Sequence, residues 1–335
     1  VLGRVLQRAA GMGLEAYAAL EYEFFLFNET PDSIREKGYR DLSPLTPGFF
    51  GYSVLRNSVH SDLYHSLLQL AQQMDFPIEG LHTETGPGVW EAAIGVDAAA
   101  DAADKAALFK TFTKVWAQRQ GLMATFMAKW SNDYPGQSGH IHLSLRETSG
   151  ESAFYDASQP HCMSERQRQF VAGQQRYMPE LTALYAQTVN AYSRMVPGFW
   201  APTDATWGVE NRTAALRVIE GSAKSQRVEM RLASADANPY LALAAAIGSG
   251  LKGIEEGLEL GDAVQGNAYE QKHPQEQRLP ATLDHAAVAL RQSTAARELF
   301  GDAFVDHYAA SREWESREFR KHVSDWEMSR YFEII

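Results

Sequence analysis

A chain of 335 residues, 45% hydrophobic and 22% charged, has ordinary globular composition, with enough length for a sizeable core in one large domain or two smaller ones. Its formal net charge of −11 argues against nucleic acid or an anionic membrane as main partner, but not against an anionic small molecule met by local arginines. The single cysteine, Cys162, excludes an intramolecular disulfide framework, and with no membrane-length apolar run or signal-peptide pattern the expected location is the cytoplasm.

Residues 1–12 have helical spacing, so the chain starts inside structure and is expected to be a fragment of a longer protein. Residues 17–27 alternate as a strand, and 28–57, rich in Pro, Gly and Asn, read as loop. A helix is expected at 60–74, then two strands within 77–96 around the turn Gly86-Pro87-Gly88. A long helix at 98–120 has Asp97 as candidate N-cap and Gly121 as candidate C′ residue. Strands are expected at 122–129 and 139–146, joined by the loop Ser131–Ser138. Ser164 and Gln167 form a capping-box pattern for a helix reaching about 187, and 188–213 is loop-rich. Residues 214–219 and 227–232 alternate again. Asn238-Pro239 opens a small-residue helix to about Gly257, 261–280 is polar loop, and 283–331 is mostly helical. Short alternating strands interrupted by helices without a regular rhythm predict an α+β fold with antiparallel strands.

The stretch EYEFFLF, residues 21–27, is apolar enough to be buried yet carries Glu21 and Glu23 on one face, roughly 6–7 Å apart. The same spacing recurs in HIHLS (His140, His142, Ser144) and in RVEMR (Arg227, Glu229, Arg231), while HTETGPGVWE offers Glu84 and Glu91 across a tight turn. Any one such strand most often presents only a solvated face. Together they fit a sheet facing a polar cavity. Five glutamates with one or two histidines suit two divalent cations such as Mg²⁺ or Mn²⁺. Arg194, Arg212, Arg217, Arg227 and Arg231 are near in sequence, and paired cations with arginines are equipment for phosphate chemistry. Neither GxxxxGK[ST] nor GxGxxG occurs, so bound ATP would use neither a Walker loop nor a Rossmann turn.

In this order EYEFFLF, HTETGPGVWEAA, GHIHLSL, NRTAALRVI and RVEMRLASADANPY resemble the catalytic domain of the glutamine synthetase superfamily, from about residue 14 to the terminal WEMSRYFEII. The resemblance implies an antiparallel sheet lining an active-site funnel with helices outside. It implies ATP and two Mg²⁺ or Mn²⁺ as cofactors, glutamate and ammonia or an amine as substrates, and a homo-oligomeric ring with shared sites. The family's smaller N-terminal β-rich domain is absent from residues 1–335, all of which read as catalytic domain. Carried over, Glu23, Glu84 and Glu91 match ligands of one cation, and Glu21, His140 and Glu229 those of the other. Arg212 and Arg217 match catalytic residues at the phosphates, His142, Ser144, Arg217 and Arg227 the ATP side, and Gly136, Arg194, Arg212 and Arg231 the glutamate side.

Two departures bear on function. Glutamine synthetases carry a glutamate after the proline–glycine of one loop, where it takes the ammonium proton. Here the loop reads PGFWAP, and Trp200 can accept no proton. An aromatic surface suits a larger amine, as in the γ-glutamyl–amine ligases of the superfamily, which act on polyamines, ethanolamine or alkylamines. The plain alternative is that Trp200 packs the loop and the enzyme makes glutamine. Pro135 also replaces the asparagine usual before the first histidine, and Tyr269, near a tyrosine adenylylated in some members, reads as a surface-loop residue. A metal-dependent amidohydrolase built on HIH needs further histidines, but the other eight, His82 among them, read mainly as helix or polar loop. A non-catalytic homologue would carry costly unused buried carboxylates.

Overall fold

The computed structural model describes residues 1–334. In chain order the elements are α1 (Leu2–Gly11), β1 (Leu14–Phe27), α2 (Pro31–Glu36), α3 (Val54–Val59), α4 (Ser61–Gln73), β2 (Ile78–Thr83), β3 (Val89–Ile94), β4 (Asp97–Ala98) and α5 (Ala99–Arg119). They continue as β5 (Met123–Thr125), β6 (Gly139–Glu147), α6 (Glu165–Tyr185), α7 (Ala191–Arg194), β7 (Trp207–Val209), β8 (Leu216–Ile219), β9 (Arg227–Met230) and α8 (Pro239–Glu255). Four helices close the described chain: α9 (Leu283–Gln292), α10 (Thr294–Phe300), α11 (Asp302–Phe319) and α12 (Asp325–Tyr331).

The sheet runs β2-β3-β1-β6-β9-β8-β7, with β4 and β5 also pairing β1. All pairs are antiparallel except β7 with β8. The expected mixed fold with an antiparallel sheet and outer helices is the one observed. Alternation separates the faces of β1. Tyr22 and Phe24 point to the core, where they meet the rings of Phe109 on α5 and Phe126 at centroid distances of 5.3–6.1 Å. Glu21 and Glu23 point to the opposite face. Register then collects the polar residues, because directly paired residues share a face. Glu23 pairs with Glu91, which pairs with His82; Glu21 pairs with His140; His142 pairs with Glu229, which pairs with Arg217.

Local differences have local causes. Asp97 does not cap α5; Ala98 holds that position, and the Asp97 carboxylate instead accepts from the Ala98 N–H at 2.8 Å and the Lys105 ammonium at 2.7 Å. Gly121 does follow the C-cap, with φ of +71°. Ser164 accepts from the Gln167 N–H, but the Gln167 side chain reaches the Arg227 carbonyl, so half of the capping box forms. The 28–57 loop contains α2 and α3, each started by a side-chain cap, Thr30 and Ser53. The strand expected at 122–129 is only β5. The C-terminal helical region is cut at Ser293, Gly301 and Ser324. No helix among the described residues is long and apolar enough to cross a membrane.

Candidate active site

The polar face of the sheet lines a cavity of about 790 Å³. Glu21, Glu23, Glu84, Glu91, His140 and Glu229 all reach it, as do His142, Ser144, Arg227, Arg212, Arg217 and Arg231. Gly136 and Trp200 line it as well. The turn Gly86-Pro87-Gly88 places Glu84 and Glu91. Gly88 has φ of +70°, and a Cβ there would lie 2.6 Å from the Leu26 carbonyl oxygen, so only glycine fits between the turn and β1.

The carboxylates form two groups. Oxygens of Glu21 and Glu229 and a ring nitrogen of His142 lie within 4.8 Å of one another. His140 Nδ1 sits 3.6 Å from Glu21 and 3.4 Å from Glu229, and its buried Nε2 has no partner among the described residues. Arg217 donates to Glu229 at 3.0 Å, and Arg231 donates to its other oxygen. The second group is His82, Glu84 and Glu91, again within 4.8 Å, with His82 Nε2 3.2 Å from Glu91. Glu23 lies beside it, its carboxylate accepting from the Ser138 N–H at 2.6 Å.

Burial pushes the Glu23 and Glu91 carboxyls up, and the negative charges of Glu21 and Glu84 push both further. Burial also opposes ionisation of Glu21, but the histidines His140 and His142 hold its carboxyl well below the usual range. For Glu229 burial is likewise outweighed, by His140, Arg231 and His142, and the carboxyl is held at about 2. So many carboxylates are not all comfortable as anions with protein partners alone. Their oxygens, with imidazole nitrogens and the orphaned His140 Nε2, are a donor set suited to Mg²⁺ or Mn²⁺. The residues fit two such cations.

Two placements differ from expectation. Arg194 does not line the cavity: it is 1% exposed and donates to the Leu232 carbonyl (2.9 Å), the Arg231 carbonyl (3.1 Å) and Ser138 Oγ (2.9 Å). It buttresses the wall that carries Arg231 and Ser138, and burial lowers its pKa to about 10. Gly136 lies directly over it; a Cβ there would come within 2.6 Å of both Arg194 Cγ and the Ala128 carbonyl oxygen. His82, in contrast, lies on β2 opposite Glu91 and not in a helix or polar loop. Its signal was present in HTE, where His82 precedes Glu84 by the same two-residue step as Glu21 and Glu23. Tyr52 was not legible: its ring lies 4.7 Å from the His82 ring, tilted by 31°, from a loop position with φ of +56°. Glu210 was also missed; it takes both Nε and Nη2 of Arg217, at 3.1 and 2.5 Å. Tyr269 is half-buried, not a free surface tyrosine, and burial raises its pKa.

The catalytic-domain profile of glutamine synthetase matches residues 1–331. The chain belongs to the glutamine synthetase family. A type-1 glutamine synthetase of Dictyostelium discoideum is 43% identical over the whole chain. A glutamate–isopropylamine ligase of a Pseudomonas species is 37% identical over the whole chain, and a γ-glutamylethanolamide synthetase of Streptomyces coelicolor 39% identical over 99% of it. The chain spans 64%, 73% and 70% of these relatives' lengths. A solved structure of GmaS with ADP superposes with a TM-score of 0.88 at 29% identity, covering 99% of this chain and 76% of that one.

A site of this carboxylate density is expected to depend on bound divalent cations for stability. A carboxyl raised in the folded state is protonated there and ionised in the unfolded chain, so its share of stability falls as pH rises above the ordinary carboxylate range. Removal of divalent cations with EDTA is therefore expected to lower the thermal midpoint more at pH 8 than at pH 6. A cation at a hundred times its Kd contributes about 2.7 kcal/mol, roughly 4 °C for a chain of this size. Equal midpoints with and without Mg²⁺ at pH 8, by scanning calorimetry, would count against cation binding here.

Proposed function

We propose that the protein joins the γ-carboxylate of glutamate to a small organic amine at the expense of ATP, through a γ-glutamyl phosphate. The observation that carries this reading is the pair of carboxylate–histidine groups flanked by Arg212, Arg217 and Arg231 in one cavity. A carboxylate is a poor electrophile, because an amine attacking it must expel oxide. Attack of the γ-carboxylate oxygen on the terminal phosphorus of ATP releases ADP and converts that oxygen into a phosphate leaving group. The amine nitrogen then attacks the acyl carbon, phosphate departs and the nitrogen loses a proton.

Mg²⁺ or Mn²⁺ held by Glu21, His140 or His142 and Glu229, and by Glu23, Glu84 and Glu91 with His82, would offset charge on the transferring phosphoryl group. Arg217 and Arg212 lie where they can meet phosphate oxygens, and Arg231 where it can meet a substrate carboxylate. Arg217 is kept in place by Glu229 on one side and Glu210 on the other. His142, Ser144 and Arg227 serve the nucleotide end, with Arg227 Nε 3.3 Å from His142 Nδ1. The groups are richer in carboxylate than in histidine, which favours this reading over a hydrolase. The site sits on one subunit's sheet, and the same reading carries assembly into a ring with shared sites.

The organic amine is favoured over ammonia because Trp200, 55% exposed at the cavity rim, stands where a proton-accepting glutamate would serve ammonium. The names of the Pseudomonas and Streptomyces relatives support it; that of the Dictyostelium relative supports glutamine formation. Mass spectrometry of the products with glutamate, ATP and Mg²⁺ separates them, offering ammonium, ethanolamine, putrescine and isopropylamine in turn. A γ-glutamyl adduct of an organic amine with little glutamine is expected; glutamine as dominant product would overturn the reading. Trp200→Glu is expected to raise the ratio of glutamine to adduct at least tenfold, and an unchanged ratio would show that Trp200 does not set the amine.

A further inference from the structure

We propose that Glu210 is a positioning residue for Arg217: it fixes the guanidinium and neutralises it in part, so that Arg217 serves the phosphoryl group in transfer more than it serves bound ATP. This rests on the proposed glutamate–amine ligation and adds to it a residue that stands outside both carboxylate–histidine groups.

The backbone at Glu210 is unusual before its side chain is considered. β7 and β8 run parallel, with Gly208 opposite Arg217 and Val209 opposite Val218, yet only residues 210–215 join them. Parallel neighbours ordinarily need a crossover of about a dozen residues or more. So short a link demands an immediate reversal, and Glu210 makes it in the left-handed region, with φ of +50°. Its N–H still donates to the Val218 carbonyl at 2.9 Å, and the next residue, Asn211, ties the turn to the Val264 and Gly266 carbonyls at 3.1 and 2.9 Å. Glycine takes such a φ without strain, and asparagine or aspartate takes it more readily than glutamate. A glutamate standing where glycine suits the backbone points to a task for its side chain.

That side chain is half-exposed and could extend into water. Instead both of its oxygens are engaged. Oε2 accepts from Arg217 Nε at 3.1 Å and from Nη2 at 2.5 Å, and Oε1 accepts from the Glu220 N–H at 3.2 Å. On its other side Arg217 donates from Nη1 to Glu229 at 3.0 Å. All three guanidinium nitrogens are therefore tied to carboxylates, and an N–H bond on each terminal nitrogen is left over. Held from two sides, the plane gives those remaining donors a fixed direction. The charges balance too. Glu229 also holds Arg231, so two guanidinium groups face two carboxylates. Bound ATP gains little from an arginine neutralised in this way. Donors already in place still act when charge moves onto the transferring group, whereas a contact equally strong before and during transfer tightens binding without speeding the step. Without Glu210 the set carries one positive charge in excess, and Arg217 is held through Nη1 alone. ATP would then bind more tightly and be used more slowly, a combination that loss of a merely structural ion pair does not produce.

The test uses the full protein with Glu210→Gln, which removes the charge at constant size, and Glu210→Gly, which also relieves the backbone. Hydroxylamine, a small nucleophile that captures an acyl phosphate whatever amine the site prefers, takes the place of the amine. Hydroxamate formation from glutamate, ATP and Mg²⁺ then gives kcat and the KM for ATP. The expected result in both variants is a kcat lowered roughly tenfold and a KM for ATP lowered roughly threefold. A second readout needs neither cation nor turnover. In EDTA, ATP is expected to raise the thermal midpoint of Glu210→Gln more than that of the parent, since the larger shift marks the tighter complex. Without ATP, the urea midpoint of Glu210→Gly is expected to stay close to that of the parent, because relief of the left-handed residue offsets the lost ion pair. A kcat within about threefold of the parent, a KM for ATP unchanged or raised, or an equal ATP shift in EDTA overturns the inference. Joint loss of turnover, ATP affinity and stability overturns it as well and leaves Glu210 a structural role only. Failure of the parent to form any γ-glutamyl product overturns the proposed function instead, and the comparison in EDTA still decides whether Glu210 restrains ATP binding, so the two failures are distinct.

Discussion

Glu229→Ala is expected to lower turnover at least a thousandfold and to destabilise the fold as well. Glu229 is 1% exposed and its two oxygens hold Arg217 and Arg231, with His140 Nδ1 3.4 Å away. Removing it leaves two guanidinium groups and an imidazole facing one another without their anion. Breaking a buried pair from one side costs about 3–5 kcal/mol, since the surviving charge stays buried. Loss of a single preorganised charge-stabilising group at a reacting centre typically costs a factor of about 100 to 1,000 in turnover. Here one side chain orients two arginines and would also hold a cation. Glu229→Gln separates the effects: it keeps the volume and one acceptor, so it should recover part of the stability while turnover stays at least a hundredfold down.

The pH dependence adds a second readout. Burial opposes ionisation of Glu229, yet His140 and Arg231 hold its carboxyl at about 2 against an ordinary value of 4.5. A carboxyl depressed in this way stabilises the fold above its unfolded pKa, and that share is lost as pH falls from about 4.5 toward 2. The parent should therefore lose stability through that window more steeply than the alanine variant. Product formation by mass spectrometry and urea midpoints measure both. Turnover in the alanine variant within tenfold of the parent would remove Glu229 from the reacting centre.

Most of this site was legible because a strand writes its faces into the sequence at every second residue. Glu21 and Glu23, His140 and His142, and Arg227, Glu229 and Arg231 could each be assigned a common face before their partners were known. Register was not legible, since nothing in EYEFFLF says which residue of WEAA stands opposite, and register decides that His82 meets Glu91. The groupings differ for the same reason: Glu21 lies as close to His142, at 3.2 Å, as Glu229 lies to His140, at 3.4 Å. Arg194 shows a different limit. An arginine's long side chain can run into a cavity or back into the wall, and only the carbonyls of Arg231 and Leu232, brought close by the fold, decide which. Tyr52 reaches His82 from a loop, where no periodicity marks a face.

Gly253→Ala is expected to destabilise the protein by about 1–2 kcal/mol net, although helix propensity alone predicts the opposite sign. Glycine in a helix interior costs roughly 1 kcal/mol relative to alanine, so an alanine within α8 should help if it met only solvent. The helices α6 and α8 leave no such room. A Cβ on Gly253 would lie 2.2 Å from the Gln169 carbonyl oxygen and 2.6 Å from Gly173 Cα, both on α6. From the other side, a Cβ on Gly173 would lie 2.3 Å from the Ser249 carbonyl oxygen. These neighbours are backbone, so no rotamer change relieves the clash and the two helices must separate. Separation would open the packing of Phe170, Met178 and Leu181, buried on α6, at a cost typical of an overpacked core. The gain of about 1 kcal/mol is smaller than that cost, and the clash decides the sign. Gly3→Ala in α1 is the control, since a Cβ there meets nothing within 4 Å, and it should gain a few tenths of a kcal/mol. Urea midpoints read both. A Gly253→Ala protein as stable as its parent would mean that α6 and α8 do not touch backbone to backbone. The platform of helices behind the sheet would then be looser than the geometry of Gly173 and Gly253 requires.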